Sequence, residues 1–334
     1  MRYYSIELTD PTTGAVVRRW TSYPNGKPDP RALQIEFDVL TTRYAAPVGG
    51  STLTIYGVAL EDLEQGNEWG LIEDRAGNVI KAPHGIEVRG GMGPGLPLAN
   101  PKQTGVLFSG LVAQSWGNWE GTDMTLDFLM TPGGNYSLRR PAPIVLNWRA
   151  GQELGDALQQ CLTQAFPENP VQVHVRTGLV QNHDEPGIYS TLDQFAQWVL
   201  QLTTKRFGNP VDVASAGPGI RVFDDTYRPT PIQLAFTDFV GQPTWIAPRT
   251  MQIKLVMRGD LQVGGLIHVP PKMQPSPGIV LTAASALPSS IRYKSTFTGL
   301  FQVLQLRHVG QSRSPDGTQW VTIANAVYLG APQG

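Results

Sequence analysis

The sequence predicts a mainly β (α+β) protein with a small α+β segment in its middle. Three observations carry this reading. Apolar and polar residues alternate with period two in many short stretches, the pattern of half-buried strands. Glycine and proline number 36 and 28 of 334 residues, about 19% together against ~12% in ordinary domains, so turns are frequent. Only beyond Asn147 does the spacing shift to the three-and-four rhythm of amphipathic helices.

Taken in order, Tyr4, Ile6 and Leu8 point one way and Ser5, Glu7 and Thr9 the other. Asp10-Pro11-Thr12-Thr13-Gly14 is a turn, and residues 15–20 return as the second strand of a hairpin. Leu33, Ile35, Phe37 and Val39 alternate with Gln34, Glu36 and Asp38, so residues 33–40 form a strand. Further strands are expected at 52–57 and 85–89. Residues 90–101 hold four Gly and three Pro and predict an exposed loop. Residues 106–119 and 124–130 form a hairpin that turns at Gly121-Thr122. Leu154, Ala157, Leu158, Cys161, Leu162 and Ala165 make the apolar stripe of a helix that Pro167 ends. A second helix is predicted from Ser190, paired with Asp193 in a capping-box pattern and closed by Gly208. Strands at 171–175 and 220–223 complete this middle segment. Pro229-Thr230-Pro231 marks a boundary. Strands then resume at 232–236, 251–257, 278–281, 300–308 and 320–328, the last two flanking Ser314-Pro315-Asp316-Gly317.

Composition excludes several classes. Gly and Pro show no collagen period, and aromatic and β-branched residues are too plentiful for a disordered chain. No apolar run reaches the ~18 residues of a membrane span, and residues 1–10 lack the apolar core of a secretory signal. Charged residues are 16% of the chain, with 26 basic and 27 acidic, a net charge of −1. That balance argues against binding nucleic acid through phosphate contacts. Charge this sparse instead predicts surface buried against partners. Cys161 is single, so no intrachain disulfide or thiolate metal cluster forms, which fits synthesis in a reducing cytoplasm.

The residues with chemistry-bearing side chains are scattered. His84, His174, His183, His268 and His308 form no i, i+4 pair and no His-Glu-x-x-His. Asn182-His183-Asp184-Glu185 is the densest polar cluster, and reads as a solvated loop rather than a metal or acid–base site. Gly90-Gly91-Met92-Gly93-Pro94-Gly95 lacks the helix and Lys-Ser/Thr of a phosphate cradle. Asp224-Asp225-Thr226 resembles the Asp-Thr of aspartic proteases, without the following Gly or a second copy. Cys161 lies on an apolar helix stripe and reads as a small core residue. Glu61, Asp62 and Glu64 follow a strand and read as a solvated turn; no facing carboxylate pair is selected. Trp69, Trp116 and Trp119 suit a core, a protein interface or a sugar platform. The expectation is therefore a protein that is not an enzyme, with no catalytic, cofactor-binding or metal-binding residue and no cofactor.

Two segments share a pattern. Gly105-Val106-Leu107-Phe108 and Gly299-Leu300-Phe301 each open a strand, a Gly-containing turn and an alternating return strand. The identity is low, and the pattern by itself fits an internal duplication or merely two β-hairpins alike.

Several motifs resemble, in order, those of phage tail and baseplate hub proteins, the tail-tube-like trimeric hubs related to contractile-injection systems. The first is Leu33-Gln34-Ile35-Glu36-Phe37-Asp38-Val39 followed by Leu53-Thr54-Ile55-Tyr56-Gly57, where family members usually have Asn-Leu after the Tyr. The second is Phe108-Ser109-Gly110-Leu111-Val112 before a long hairpin. The third is the segment from Gly259 to Ile267. The fourth is the strand from Leu300 through His308-Val309-Gly310, then Trp320-Val321-Thr322. The resemblance implies two tail-tube-like β-barrel domains, 1–145 and 229–334, with the α+β insert 146–228 between them. It implies a homotrimeric, pseudo-hexameric ring that joins the hexameric tail tube to a three-fold spike or tip and lines the DNA ejection conduit. The implied partners are the chain itself, a tail tube protein, a spike or tail-tip protein and other baseplate proteins. DNA would pass without specific binding, and no segment would span a membrane. The implied place is the virion, assembled in the host cytoplasm. The alternative is a receptor- or carbohydrate-binding β protein of the tail tip, using Trp116 and Trp119. A peptidoglycan-degrading enzyme is a third class, disfavoured by the absence of paired acids or a zinc motif.

Overall fold

A computed structural model describes residues 2–46, 50–76, 79–96, 98–132, 142–216, 219–270 and 298–330. The chain is mainly β. One sheet of 13 strands dominates, antiparallel except where Ile232–Gln233 lies parallel to Leu266–Val269. In the first half its neighbours run Gln34–Thr42, Ser51–Tyr56, Asp123–Pro132, Gly105–Glu120, Gly85–Met92, Arg2–Thr9, with Val16–Thr21 added at the end. In the second half they run Thr244–Ala247, Thr250–Val256, Trp320–Gly330, Gly299–Gln311, Leu266–Val269, Ile232–Gln233. Six strands thus recur with the same chain order and the same neighbours. The one difference is direction, because Arg2–Thr9 lies antiparallel to its neighbour and Ile232–Gln233 parallel.

Each long hairpin also carries a bulge at the same place, between Val112 and Gln114 and between Val303 and Gln305. A bulge fixes register. Matching the two bulges sets Gly110, not Phe108, in the place of Phe301. The offset is two residues, which keeps the side-chain face, so Phe108 and Phe301 are both buried.

Gly299–Gln311 joins the halves. Beyond its bulge, Gln305–Gln311 pairs with Gln34–Thr42, while Gly299–Leu300–Phe301–Gln302 pairs with Leu266–Val269. A strand of 13 residues is long enough to lend one edge to both neighbours.

Among the described residues, three large cores and a small fourth cluster of Ala214, Phe223 and Val263 follow from this arrangement. The first contains Ile6, Ile35, Val39, Ile55, Val88 and Phe128, with Trp69 stacked on Phe128 at 6.0 Å and Trp20 edge-on to both. The alternation that predicted these strands is the alternation that fills it. Met257 and Trp320 of the second half also enter this core. The second core lies under the helices Leu154–Ala165 and Leu192–Phe207, with Leu158, Leu162, Phe195 and Val199 buried. The third holds Met251, Ile253, Leu255, Phe301, Val303 and Ala324. Each fully buried side chain of this size contributes about 1.5–3 kcal/mol relative to exposure.

Some expectations change. The strand predicted to end at Arg89 continues to Met92, so Gly90 and Gly91 are buried strand residues rather than loop. A Cβ on Gly90 would come 2.6 Å from Leu107 Cδ1, so the glycines allow close strand packing. The second helix is capped by Thr191, whose Oγ1 accepts from Gln194 N at 3.3 Å, not by Ser190. Residues 232–236 give only a two-residue strand, after which Phe236 begins a 3-10 turn and is 73% exposed. Glu61 and Asp62 sit on a short helix, Leu60–Gln65, rather than a turn. The expected strand at 278–281 lies outside the described residues.

Candidate assembly surface

The seam between the halves is built from backbone first. Seven residue pairs join Gln305–Gln311 to Gln34–Thr42. Above the ladder, Arg307 grips Asp38 with two of its three guanidinium nitrogens, Nε donating to Oδ1 at 2.7 Å and Nη2 to Oδ2. Both partners are half exposed, so the pair itself contributes only about 0–1 kcal/mol. Below the ladder, Trp320 meets Phe37 edge-on at 5.4 Å and donates Nε1–H to Gly91 O at 2.9 Å. Arg2 covers Trp320 at 5.6 Å and donates to the Gln311 and Asp316 carbonyls.

A buried ion cluster pins a second crossing. Arg258 is 2% exposed and donates to Asp260 through Nε and Nη2, both at 2.7 Å, with Asp238 3.3 Å away. Asp238 also accepts from Gln103 Nε2 at 2.7 Å and from Ala235 N at 2.8 Å. Gln103 O in turn accepts from Gly259 N at 2.7 Å. There the two backbones touch: a Cβ on Gly259 would lie 2.4 Å from Gly105 C. Only two glycines allow this approach.

The sequence candidates are placed apart. His308 is buried in the seam, its Nδ1 2.9 Å from Thr322 Oγ1, and burial pushes its pKa down to about 3. His84 is buried under the first half and lowered by desolvation and by Lys81. His174 stacks on Tyr227 at 4.7 Å. His268 lies on Leu266–Val269. His183 is exposed, 3.7 Å from Glu185, which also holds Arg206 at 2.5 Å. Asp184 accepts from Ala150 N at 2.8 Å, so this cluster ties a loop to the turn that follows the strand Ile144–Trp148.

Asp224 is buried. Desolvation pulls it up, but hydrogen bonds from Thr226, Arg176 and Asn209 outweigh that and hold its carboxyl below the ordinary value. Asp225 reaches Arg176 outside. Both carboxylates thus converge on the one Arg176 guanidinium, because they lie past the strand end at Phe223, where strand alternation no longer separates neighbours. Asp62 is buried against Arg18 and accepts from Trp20 Nε1 at 3.3 Å, while Glu61 is exposed. Cys161 is buried, and desolvation raises its thiol to about 12. Among the described residues, no group of three or more His, Cys, Asp or Glu is placed to hold a metal. Trp69 is core, whereas Trp116 and Trp119 are 43% and 61% exposed on the first long hairpin. No helix of the described residues is long and apolar enough to cross a membrane.

Sequence reasoning missed Arg258, Asp238 and Gln103. Their signal lies in a contact between residues 135 apart, which no local pattern displays.

No protein-family model matches the chain, and no curated protein matches its sequence. Solved structures do resemble it. The tail protein from Neisseria meningitidis MC58 aligns over 98% of this chain and 96% of its own, with 11% identity and a TM-score of 0.45. The 43 kDa tail protein of prophage MuSo2 from Shewanella oneidensis aligns over 98% and 97%, with 9% identity and a TM-score of 0.49. The E. coli c3393 protein is a component of the type VI secretion system with structural similarity to T4 bacteriophage tail proteins gp27 and gp5. It aligns over 88% of this chain and 73% of its own, with 9% identity and a TM-score of 0.48. Phage tail and type VI secretion proteins are thus among the chain's structural neighbours, and they are the class its sequence motifs resemble. At 9–11% identity and TM-scores below 0.5, the likeness assigns no activity or partner.

Proposed function

We propose that this chain is a structural protein of a phage tail tip or baseplate, a hub that assembles as a homotrimer. The observation that carries the reading is the six-strand order repeated in both halves and joined edge to edge by Gly299–Gln311. One chain then supplies two like units, residues 1–145 and 229–334, each a tube-type barrel. Three chains supply six. Such a ring meets a six-fold tube on one face and a three-fold spike on the other. The insert, residues 146–228, has its own core and would lie outside the ring. The lumen would pass DNA without gripping it, in keeping with a net charge of −1.

Light scattering on the purified chain, alone and with its tube and spike partners, tests the reading. A mass of three chains is expected in at least one of these mixtures. Strictly monomeric behaviour in all of them refutes it. The exposed Trp116 and Trp119 favour a second reading, glycan binding at the tail tip. Glycan-array binding that Trp119→Ala abolishes would establish that reading instead.

A further inference from the structure

We infer that neighbouring copies join by the same strand pairing that joins the two halves of one chain, with Asn118 of one copy opposite Thr244 of the next. The inference rests on the hub reading above and specifies its contacts.

Each side of the internal seam exists a second time. Beyond the bulge, Gln305–Gln311 has Trp320–Gly330 on one edge and Gln34–Thr42 on the other. Its counterpart, residues 114–120, has Asp123–Pro132 on one edge. On the other edge, Gly85–Met92 pairs no further than Leu111, and no strand follows among the described residues. The segment after the helix Leu60–Gln65 meets this strand at the bulge, where Leu71 N donates to Ala113 O at 3.3 Å and Gly70 lies against the Gln114 backbone. Leu63 and Gly66 contact the face that carries Gly117 and Leu126, and Ser115 Oγ donates to Gly66 O on the same face. The counterpart of Gln34–Thr42 is Thr244–Ala247, where the sheet ends among the described residues. One edge of each kind therefore faces outward, and they are the two kinds that the chain already joins within itself.

The register follows from rows across the sheet. In the first half one row reads Asp38, Thr52, Leu129, Gln114. In the second half the matching row reads Thr244, Gln252, Asn325, Gln305. Both rows end on the residue just past the bulge, so Thr244 occupies the place of Asp38. Counting from the bulge, Asn118 occupies the place of Val309. Val309 stands opposite Asp38 in the seam. Asn118 then stands opposite Thr244, and the match is carried no further than Trp245 because the register of this strand shifts between Trp245 and Ala247.

The faces agree. Val39 is buried in the first core, and Trp245, in the same phase, packs 6.1 Å from Phe301 of the third. The intervening residues face outward in both halves. The chemistry differs in one respect, because Trp116 and Thr244 replace the Arg307–Asp38 ion pair. The contact between copies is thereby less charged, as contacts that remain closed tend to be. Pro243 and Pro248 flank the strand and donate no hydrogen bond, which limits the pairing to four residues and guards the edge against indiscriminate association.

Cysteine pairs test the register. Directly opposed residues bring their Cβ atoms to about 4.5–5.5 Å, near disulfide range after a small shift, whereas a two-residue offset separates the Cα atoms by about 8 Å, beyond it. Cys161 is buried and does not compete. The variants are Asn118→Cys with Thr244→Cys and, as the offset control, Asn118→Cys with Ile246→Cys. Both are oxidised gently in the assembled state and read on non-reducing denaturing gels. The expected result is a covalent trimer band for the first pair and its loss in the offset pair. Cross-linking of the offset pair alone overturns the register. A trimer by light scattering with neither pair cross-linked overturns the edge pairing and leaves the hub reading standing. Wild-type chain that stays monomeric with its partners removes the hub reading itself.

Discussion

Acid should loosen the seam through His308. The side chain is 1% exposed, and its strand neighbours are Val39 and Thr322. Desolvation lowers its pKa from 6.5 to about 3. The unfolded chain therefore binds this proton as pH falls through 6.5, and the folded chain refuses it until about 3. More protons on the unfolded state means that stability is present above the ordinary histidine value and is lost below it. The loss runs at about 1.4 kcal/mol per pH unit, so about 2 kcal/mol is gone at about pH 5. That is a sizeable share of the ~5–15 kcal/mol that holds ordinary domains together. Carboxylates such as Asp224, held below their ordinary value, add their own acid loss at lower pH. His308→Gln isolates the histidine. Urea unfolding from about pH 7.5 to about pH 4 should show the variant less stable at the top of the range by about 1–2 kcal/mol. The gap should close by about 1.4 kcal/mol per unit below pH ~6.5 and then invert. Parallel curves for the two proteins would refute the burial argument.

Five further outcomes are expected. Asp238→Ala strips one carboxylate from the buried Arg258 and the acceptor from Gln103, and should lower the urea-derived stability by about 3 kcal/mol. Gly259→Ala drives a methyl into Gly105 and should cost about 2 kcal/mol or more. Gly317→Ala, which meets nothing within 4 Å, should stay within about 0.5 kcal/mol of wild type in the same measurement. Thr191→Ala removes the helix cap and should cost the insert about 1 kcal/mol, read from the loss of helical circular dichroism on heating. Cys161 should resist iodoacetamide at about pH 8 in the folded protein and react once denatured, because burial raises its thiol to about 12; alkylation of the native chain at the rate of a free thiol would contradict that burial.

Local order was legible wherever a local rule produces it. Period-two alternation located Arg2–Thr9, Gln34–Thr42 and Asp123–Pro132 because one face of each strand is core and the other is not. The stripe from Leu154 to Ala165 located its helix to the residue, and Gly208, at φ 65°, closed the second helix as expected. The cap moved from Ser190 to Thr191 because helix starts differ by one residue at little cost, and only the formed hydrogen bond decides. The short strands of the insert, such as Ile144–Trp148 and Asp212–Ala216, gave no such signal, since five residues carry too few alternations to stand out.

The sequence by itself determined that this is a β-rich chain with a helical middle, where its main turns fall, and that a pattern recurs between its two halves. It did so because hydrophobic periodicity, turn formers and caps act over a few residues. Only the tertiary structure decided that the recurrence is an identical order of six strands, with the bulges setting a register two residues from the one the motifs suggested. Only it brought Arg258 to Asp238 and Gln103, Gly259 against Gly105, and Asp38 under Arg307. Those contacts span up to 269 residues of chain. They form where close packing confines a buried charge to the few carboxylates within reach and leaves a backbone no room for a side chain.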